Sequence, residues 1–192
     1  ARPPMVQPAL AASRETSLDG RTLLIPNWDP AALRLVVAAF HKEGIDARLL
    51  EESETTIQKS LRRNTGQCIP LNIIAQECLD YVDTHGLDPA RTVLWNVNST
   101  MACNLALFPH HIKNIFRQTG GGMEDIGVYA GDISFMDISM RLPVNIYFCY
   151  MFGGLIRKIG CRIRPYEIVE GETDRVIEQN LTLMEKALAG IA

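Results

Sequence analysis

The chain lacks Cys-x-x-Cys pairs and Cys/His pairs at zinc-finger spacing, which excludes a self-contained structural zinc site. It also lacks an excess of either charge. Nineteen Lys and Arg stand against 22 Asp and Glu, a net charge of −3, which leaves no basic footprint for nucleic acid. No apolar run approaches the roughly 20 residues that cross a bilayer; the longest, 142–159, is broken by Pro143, Asn145, Arg157 and Lys158. No Gly-x-Ser-x-Gly elbow is present, and Gly120-Gly121-Gly122 precedes neither a Lys-Ser/Thr pair nor a clear helix start. That triplet is therefore read as a turn and not as a phosphate or dinucleotide loop. The first residues, Ala1-Arg2-Pro3-Pro4-Met5, have no apolar core of the kind an export signal needs. Five cysteines, an odd number without such a signal, point to reduced thiols in the cytoplasm and away from a disulfide framework.

What is present is an alternation of short apolar strands and helical stripes. Residues 1–20, rich in Pro, Ala and Ser, read as a linker or arm; residues 21–192 read as a single α/β domain, a fragment of a larger protein. Strands are expected near 22–26, 45–50, 92–97 and 126–130. A helix over 31–42 stops at Gly44, and the first βαβ unit is then parallel. Ser53 is expected to cap a short polar helix. After Cys68, Pro70 fits a helical first turn, and Leu71, Ile74, Ala75, Cys78, Leu79 and Val82 form one stripe ending near Gly86. A helix is expected over 105–118, a mostly helical region over 134–159 interrupted at Pro143, an extended segment from Cys161 to Glu167 ahead of and around Pro165, and a last helix capped by Thr173 and running to about Ala189. The fold class is α/β: a three-layer Rossmann-like (flavodoxin-like) domain with a mainly parallel sheet.

Two cysteines occupy matching points. Cys68 and Cys103 each lie in a loop just ahead of a helix, where unpaired N–H groups and the helix dipole favour a thiolate, the form that binds metal. Each is also compatible with a small buried hydrophobe, and Cys78, on its apolar stripe, is read as core. His110 and His111 are adjacent and diverge by roughly 100° on a helix, so they do not face one metal together. A cysteine nucleophile paired with a distant histidine stays open. Arg162 and Arg164 would share one side of an extended segment, as a solvated edge or as an ion-pairing one.

In order along the chain, Gly66-Gln67-Cys68-Ile69-Pro70-Leu71, Ala102-Cys103-Asn104 with Pro109-His110-His111-Ile112-Lys113-Asn114, and Ile163-Arg164-Pro165-Tyr166-Glu167 with Gly171-Glu172-Thr173-Asp174-Arg175 resemble the C-terminal portion of the large CoA-substrate-specific enzyme activases. Those belong with the 2-hydroxyacyl-CoA dehydratases and double-cubane-cluster proteins. The resemblance runs from about Gly20 to the end of the chain. It implies Rossmann-like subdomains that hold an iron–sulfur cluster, of [4Fe-4S] type, through loop cysteines, with electrons fed by an ATP-hydrolysing activator in another domain or subunit and an acyl-CoA as the substrate class. The carry-over falls on Cys68 and Cys103. The family's second loop often reads Pro-Cys-Arg-Phe-Gly-Gln-Tyr, whereas here Ala102-Cys103-Asn104-Leu105-Ala106-Leu107-Phe108 lacks the basic and glycine positions. A cluster takes three or four thiolates, so Cys149, Cys161 or a cysteine elsewhere would have to join, with Cys149 as the third candidate ligand here. The competing expectation is a non-catalytic α/β scaffold that docks the ATPase partner. If Cys68 and Cys103 share a cluster, their loops emerge on one edge of the sheet, sulfurs about 6–7 Å apart.

Overall fold

A computed structural model describes residues 18, 20–63, 68–97, 104–136 and 138–191. Four strands, β1 (Thr22–Ile25), β2 (Asp46–Leu49), β3 (Thr92–Val97) and β4 (Gly127–Gly131), form one sheet in the order β2-β1-β3-β4, every neighbouring pair parallel. This is the three-layer α/β architecture expected, with each strand within two residues of its expected position. The strands are short, and β1, β3 and β4 are almost wholly buried because helices cover both faces, while β2 at the edge is more exposed.

Helices α1 (Pro30–Lys42), α5 (Leu142–Ile163) and α6 (Glu172–Ala189) lie on one face, where Leu23, Ile25, Val93 and Trp95 meet Leu33, Val36 and Phe40. Helices α3 (Ile69–His85) and α4 (Phe108–Thr119) cover the other, over Leu24, Leu94 and Val128, and α2 (Glu54–Leu61) packs on α3. Alternate strand residues thus feed two separate cores. The chain moves outward from β1 to β2 with its helix on the first face, then back past β1 to β3 and β4 with helices on the second. A constant crossover hand requires that exchange of faces when the direction reverses.

Local chemistry sets the ends of the elements. Asp29 caps α1, its Oδ1 accepting the Ala32 N–H at 3.2 Å with Pro30 in the first turn, and Ser53 caps α2 by accepting the Thr56 N–H at 3.1 Å. Gly120, Gly121 and Gly122 all have positive φ, so the triplet is the expected turn.

The C-terminal third departs from expectation in three places. Pro143 does not interrupt a helix; it sits in the first turn of α5, one unbroken 22-residue helix, and the chain before it makes turns about Phe135. Cys161, Arg162 and Ile163 are the last turn of α5, and Arg164–Tyr166 is a 3-10 turn, so the segment before Pro165 is helical and not extended. The preference of a pre-proline residue for extended backbone yields here to packing, since Gly160 seats against Ile177 of α6. Thr173 is not the cap of α6. Gly171 holds that position, and the Glu167 carboxylate accepts the N–H groups of Gly171 and Thr173, each at 2.9 Å.

Helix α5 runs antiparallel to α1. Near its start Ser139 donates to Glu43 beyond the end of α1; Gly153 lies against Ala32, and Arg157 pairs with Asp29 at the start of α1. A Cβ on Gly153 would come within 2.6 Å of the Ala32 backbone, so glycine is what lets the two helices approach. The last turns of α5 project past the carboxyl edge of the sheet. There α6 turns back, and Arg34 of α1 joins it through Glu178 (2.6 Å) and Glu185 (2.7 Å). No helix among the described residues is long and apolar enough to cross a membrane.

Candidate functional site at the carboxyl edge

Strand order reverses between β1 and β3, and the crevice outside the carboxyl ends of those strands is where open α/β sheets gather ligands. β1 delivers Pro26, Asn27, Trp28 and Asp29 to it; β3 ends there at Val97; and α3, returning toward the amino end of β3, presents its own N-terminus there.

Cys68 stands at that N-terminus. It occupies the N-cap position of α3 in extended backbone (φ −60°, ψ 130°), half-buried, with its carbonyl accepting the Leu71 N–H at 3.1 Å. Its side chain makes no capping hydrogen bond and lies against the α3/α4 core. Cys103 falls within 98–103, outside the described residues, as do Gly66 and Gln67 of the first loop. The sulfur–sulfur distance between Cys68 and Cys103 is therefore not among the observations.

The remaining cysteines sit elsewhere. Cys78, two and a half turns along α3, is wholly buried, and burial, with the Glu77 charge beside it, pushes its thiol well above the ordinary range. Cys149 is also wholly buried, on the inner side of α5 among Leu33, Phe40 and Leu142; burial pushes its thiol up to about 12. The sheet stands between Cys149 and Cys68, and the structure does not bring the two together. Cys161 is exposed on the last turn of α5. Among the described residues, no group of three or more His, Cys, Asp or Glu side chains is placed to hold a metal ion.

Beside the crevice is a feature that the sequence reading passed over. Trp28, half-exposed, packs on Trp95 with ring centroids 5.2 Å apart; Trp95 meets Phe135 at 4.8 Å, and Phe135 meets Phe40 at 5.0 Å. An aromatic chain thus runs from the crevice into the core. Phe135 has φ 55°, a left-handed conformation that is strained for a bulky residue. The Trp95 Nε1 and Tyr150 hydroxyl are buried without a hydrogen-bond partner among the described residues. Burial raises the Tyr150 phenol to about 12, the charges of Cys149, Asp29 and Asp132 adding to the effect. The Pro26-Asn27-Trp28-Asp29-Pro30 run, with a cap residue ahead of proline at the end of a strand, is the signal that could have found this corner.

No family model, curated protein or solved structure matches this chain. Its chemistry is accordingly read from its own residues. A groove of about 680 Å³ lies at the opposite, amino edge, lined by Gly20, Arg21, Asp46, Asp88 and Arg91. It is open and mainly polar, and none of the described cysteines lines it. A smaller pocket of about 320 Å³ between β2 and α3 is lined by Glu51, Glu77, Asp80 and Tyr81. The Glu77 carboxyl there is raised to about 7 by burial first and by Glu52 second.

Proposed function

We propose that this chain is the cysteine-donating domain of an iron–sulfur cluster in an ATP-dependent low-potential electron-transfer or dehydratase/reductase system related to the 2-hydroxyacyl-CoA dehydratases. The observation that carries the reading is the place of Cys68: a half-buried cysteine at a helix N-terminus, on the edge and at the strand reversal where such folds take their ligands. A thiolate there is favoured by the unpaired N–H groups and the dipole of α3.

The donor set fits a shared site better than a self-contained one. Cys68 and Cys103 are the thiols this reading assigns, because Cys78 and Cys149 are enclosed in apolar cores that hold them as thiols and Cys161 stands exposed on the last turn of α5. A [4Fe-4S] cluster takes up to four cysteine ligands, so the others come from another domain or subunit. When bound, the cluster would supply one-electron chemistry at low potential. The protein's part is to hold the Cys68 thiolate at the N-terminus of α3 and to limit water on its core side.

Anaerobic reconstitution with ferrous iron and sulfide, followed by alkylation and mass mapping of each cysteine, tests this. Cys68 and Cys103 should become protected from alkylation while Cys161 stays reactive. Iron bound without protection of Cys68, or no iron bound by the chain together with its ATPase partner, would overturn the proposal. The second result would favour the other reading, a scaffold that docks the ATPase.

A further inference from the structure

Helix α5 is built inside out. The residues it turns to the sheet and to α1 and α6 include Cys149, Gly153 and Gly160, whereas Val144, Tyr147, Phe148, Met151, Leu155 and Ile159 face outward, 42% to 63% exposed. Their spacing of three and four residues sets them in one stripe along the helix. With Phe152 and Ile163 on its flanks, the stripe presents on the order of 750 Å² of apolar surface if a fully exposed side chain of these types offers about 150–250 Å². A monomer's largest apolar patch is usually about 300–600 Å², and a stable interface buries about 800 Å² on each partner.

We propose that this face is covered by the same face of a second copy of the chain, the two α5 helices packing antiparallel about a two-fold axis. Three observations favour a copy over a foreign partner. The area on each side is close to the roughly 800 Å² per partner of a standard-size interface. Residues 142–156 contain no charged side chain at all, so the centre of the face asks for no complementary charge and matches itself. At that centre Gly154 is an open notch, with nothing within 4 Å of an added Cβ, next to the protruding Met151. Crossing the helices midway between these two seats each Met151 in the other copy's Gly154 notch. The same operation sets Lys158, the cation on the C-terminal half of the stripe, against the ring of Tyr147, which lies equally far on the other side of the midpoint, and it keeps the two Lys158 ammonium groups apart. A parallel pairing would oppose them.

Sedimentation equilibrium of the 192-residue chain tests the proposal, with Met151→Glu and Leu155→Glu as variants and far-UV circular dichroism as the check of folding. Interfaces of this size span micromolar to picomolar affinity, so the wild-type chain should be dimeric by about 100 μM. Each variant should keep its helical spectrum and weaken the dimer by about 30-fold or more, as loss of a central contact does. Lys158→Glu should weaken it by less. A monomer at about 100 μM overturns the proposal; binding of that monomer to vesicles of phosphatidylserine and phosphatidylcholine would make a lipid surface the occupant. A dimer untouched by both glutamate variants overturns it as well, because the copies would then meet elsewhere.

Discussion

The helical layers on the two faces of the sheet solve the same packing problem in opposite ways. Helix α4 buries Phe108, Ile112, Ile115 and Phe116 and turns His110, His111, Asn114 and Arg117 away from the core. Its layer is complete once it meets the strands. Helix α5 reaches α1 through Gly153 and α6 through Gly160, and it keeps many of its large apolar side chains outside. Small inward residues give close approach and leave the binding capacity of the helix unspent on the fold. Both layers therefore supply core, and the α5 layer also presents contact surface while extending past the edge that carries Cys68.

The comparison breaks most easily at Phe116. Truncation to Ala should cost about 3–5 kcal/mol, because the ring is wholly enclosed and α4 has no room to collapse around the void. Urea denaturation measures it, and a loss below 1 kcal/mol would mean that the α3/α4 layer is not the tight one. Next in size is Gly153→Ala. Its methyl would press on the Ala32 backbone, and overpacking of this kind costs about 1–3 kcal/mol. In the dilute monomer the adjacent Gly154→Ala meets nothing and should stabilise by about 0.5–1 kcal/mol through the unfolded chain and helix propensity, whereas in the dimer the same methyl would fill the notch that takes Met151. Opposite signs at neighbouring positions are the signature expected of α5.

The α3 layer carries a titration that the α5 layer does not. The folded protein raises the Glu77 carboxyl from 4.5 to about 7, so between those values the folded state holds a proton that the unfolded chain has lost. Stability is then highest at or below pH 4.5 as far as this group is concerned, falls as pH rises toward 7, and is flat above it. Glu77→Gln should abolish that slope. Urea midpoints across pH 5 to 8 give the measurement; an unchanged slope in the variant would remove Glu77 as its origin.

The same contrast explains how much the sequence revealed. The four strands and α3 were legible because Val, Ile and Leu runs bounded by Gly, Pro and Asp carry their period locally; the Cys78 stripe identified a core helix for the same reason. Helix α5 was read as broken, since its apolar residues surround the axis and mask the stripe, and Pro143 resembles an interruption when the start of the helix is unknown. The Cys161–Glu167 segment was misread because a contact made only after α6 folds back, Gly160 on Ile177, outweighs a local backbone preference. At the candidate site, Cys68 was recognisable from Pro70 and the stripe after it. The Trp28–Trp95 contact was not, because it needs β1 and β3 to be neighbours, a fact of topology with 66 residues of chain between the two rings. Cys149 shows the converse limit: a cysteine's identity carries no sign of which side of the sheet it will face.

The smallest effect tests the corner where α5 passes the crevice. Asp29 does two things there, capping α1 through Oδ1 and receiving Arg157 through Oδ2. The first satisfies a helix N–H that has no other acceptor within the helix and should be worth about 1 kcal/mol. The second joins α1 to α5 within one layer, but the Arg157 side chain is 62% exposed, and a pair so well solvated contributes between roughly 0 and 0.5 kcal/mol. Asp29→Asn keeps an oxygen for the Ala32 N–H and removes the charge, so its loss should stay below about 0.5 kcal/mol and shrink further in salt. Asp29→Ala removes both and should lose about 1 kcal/mol, nearly independent of salt. Equal losses for the two variants would show that the α5 ion pair, and not the cap, holds this end of α1. The start of α1 would then depend on α5, and the crevice would loosen whenever that helix is drawn away.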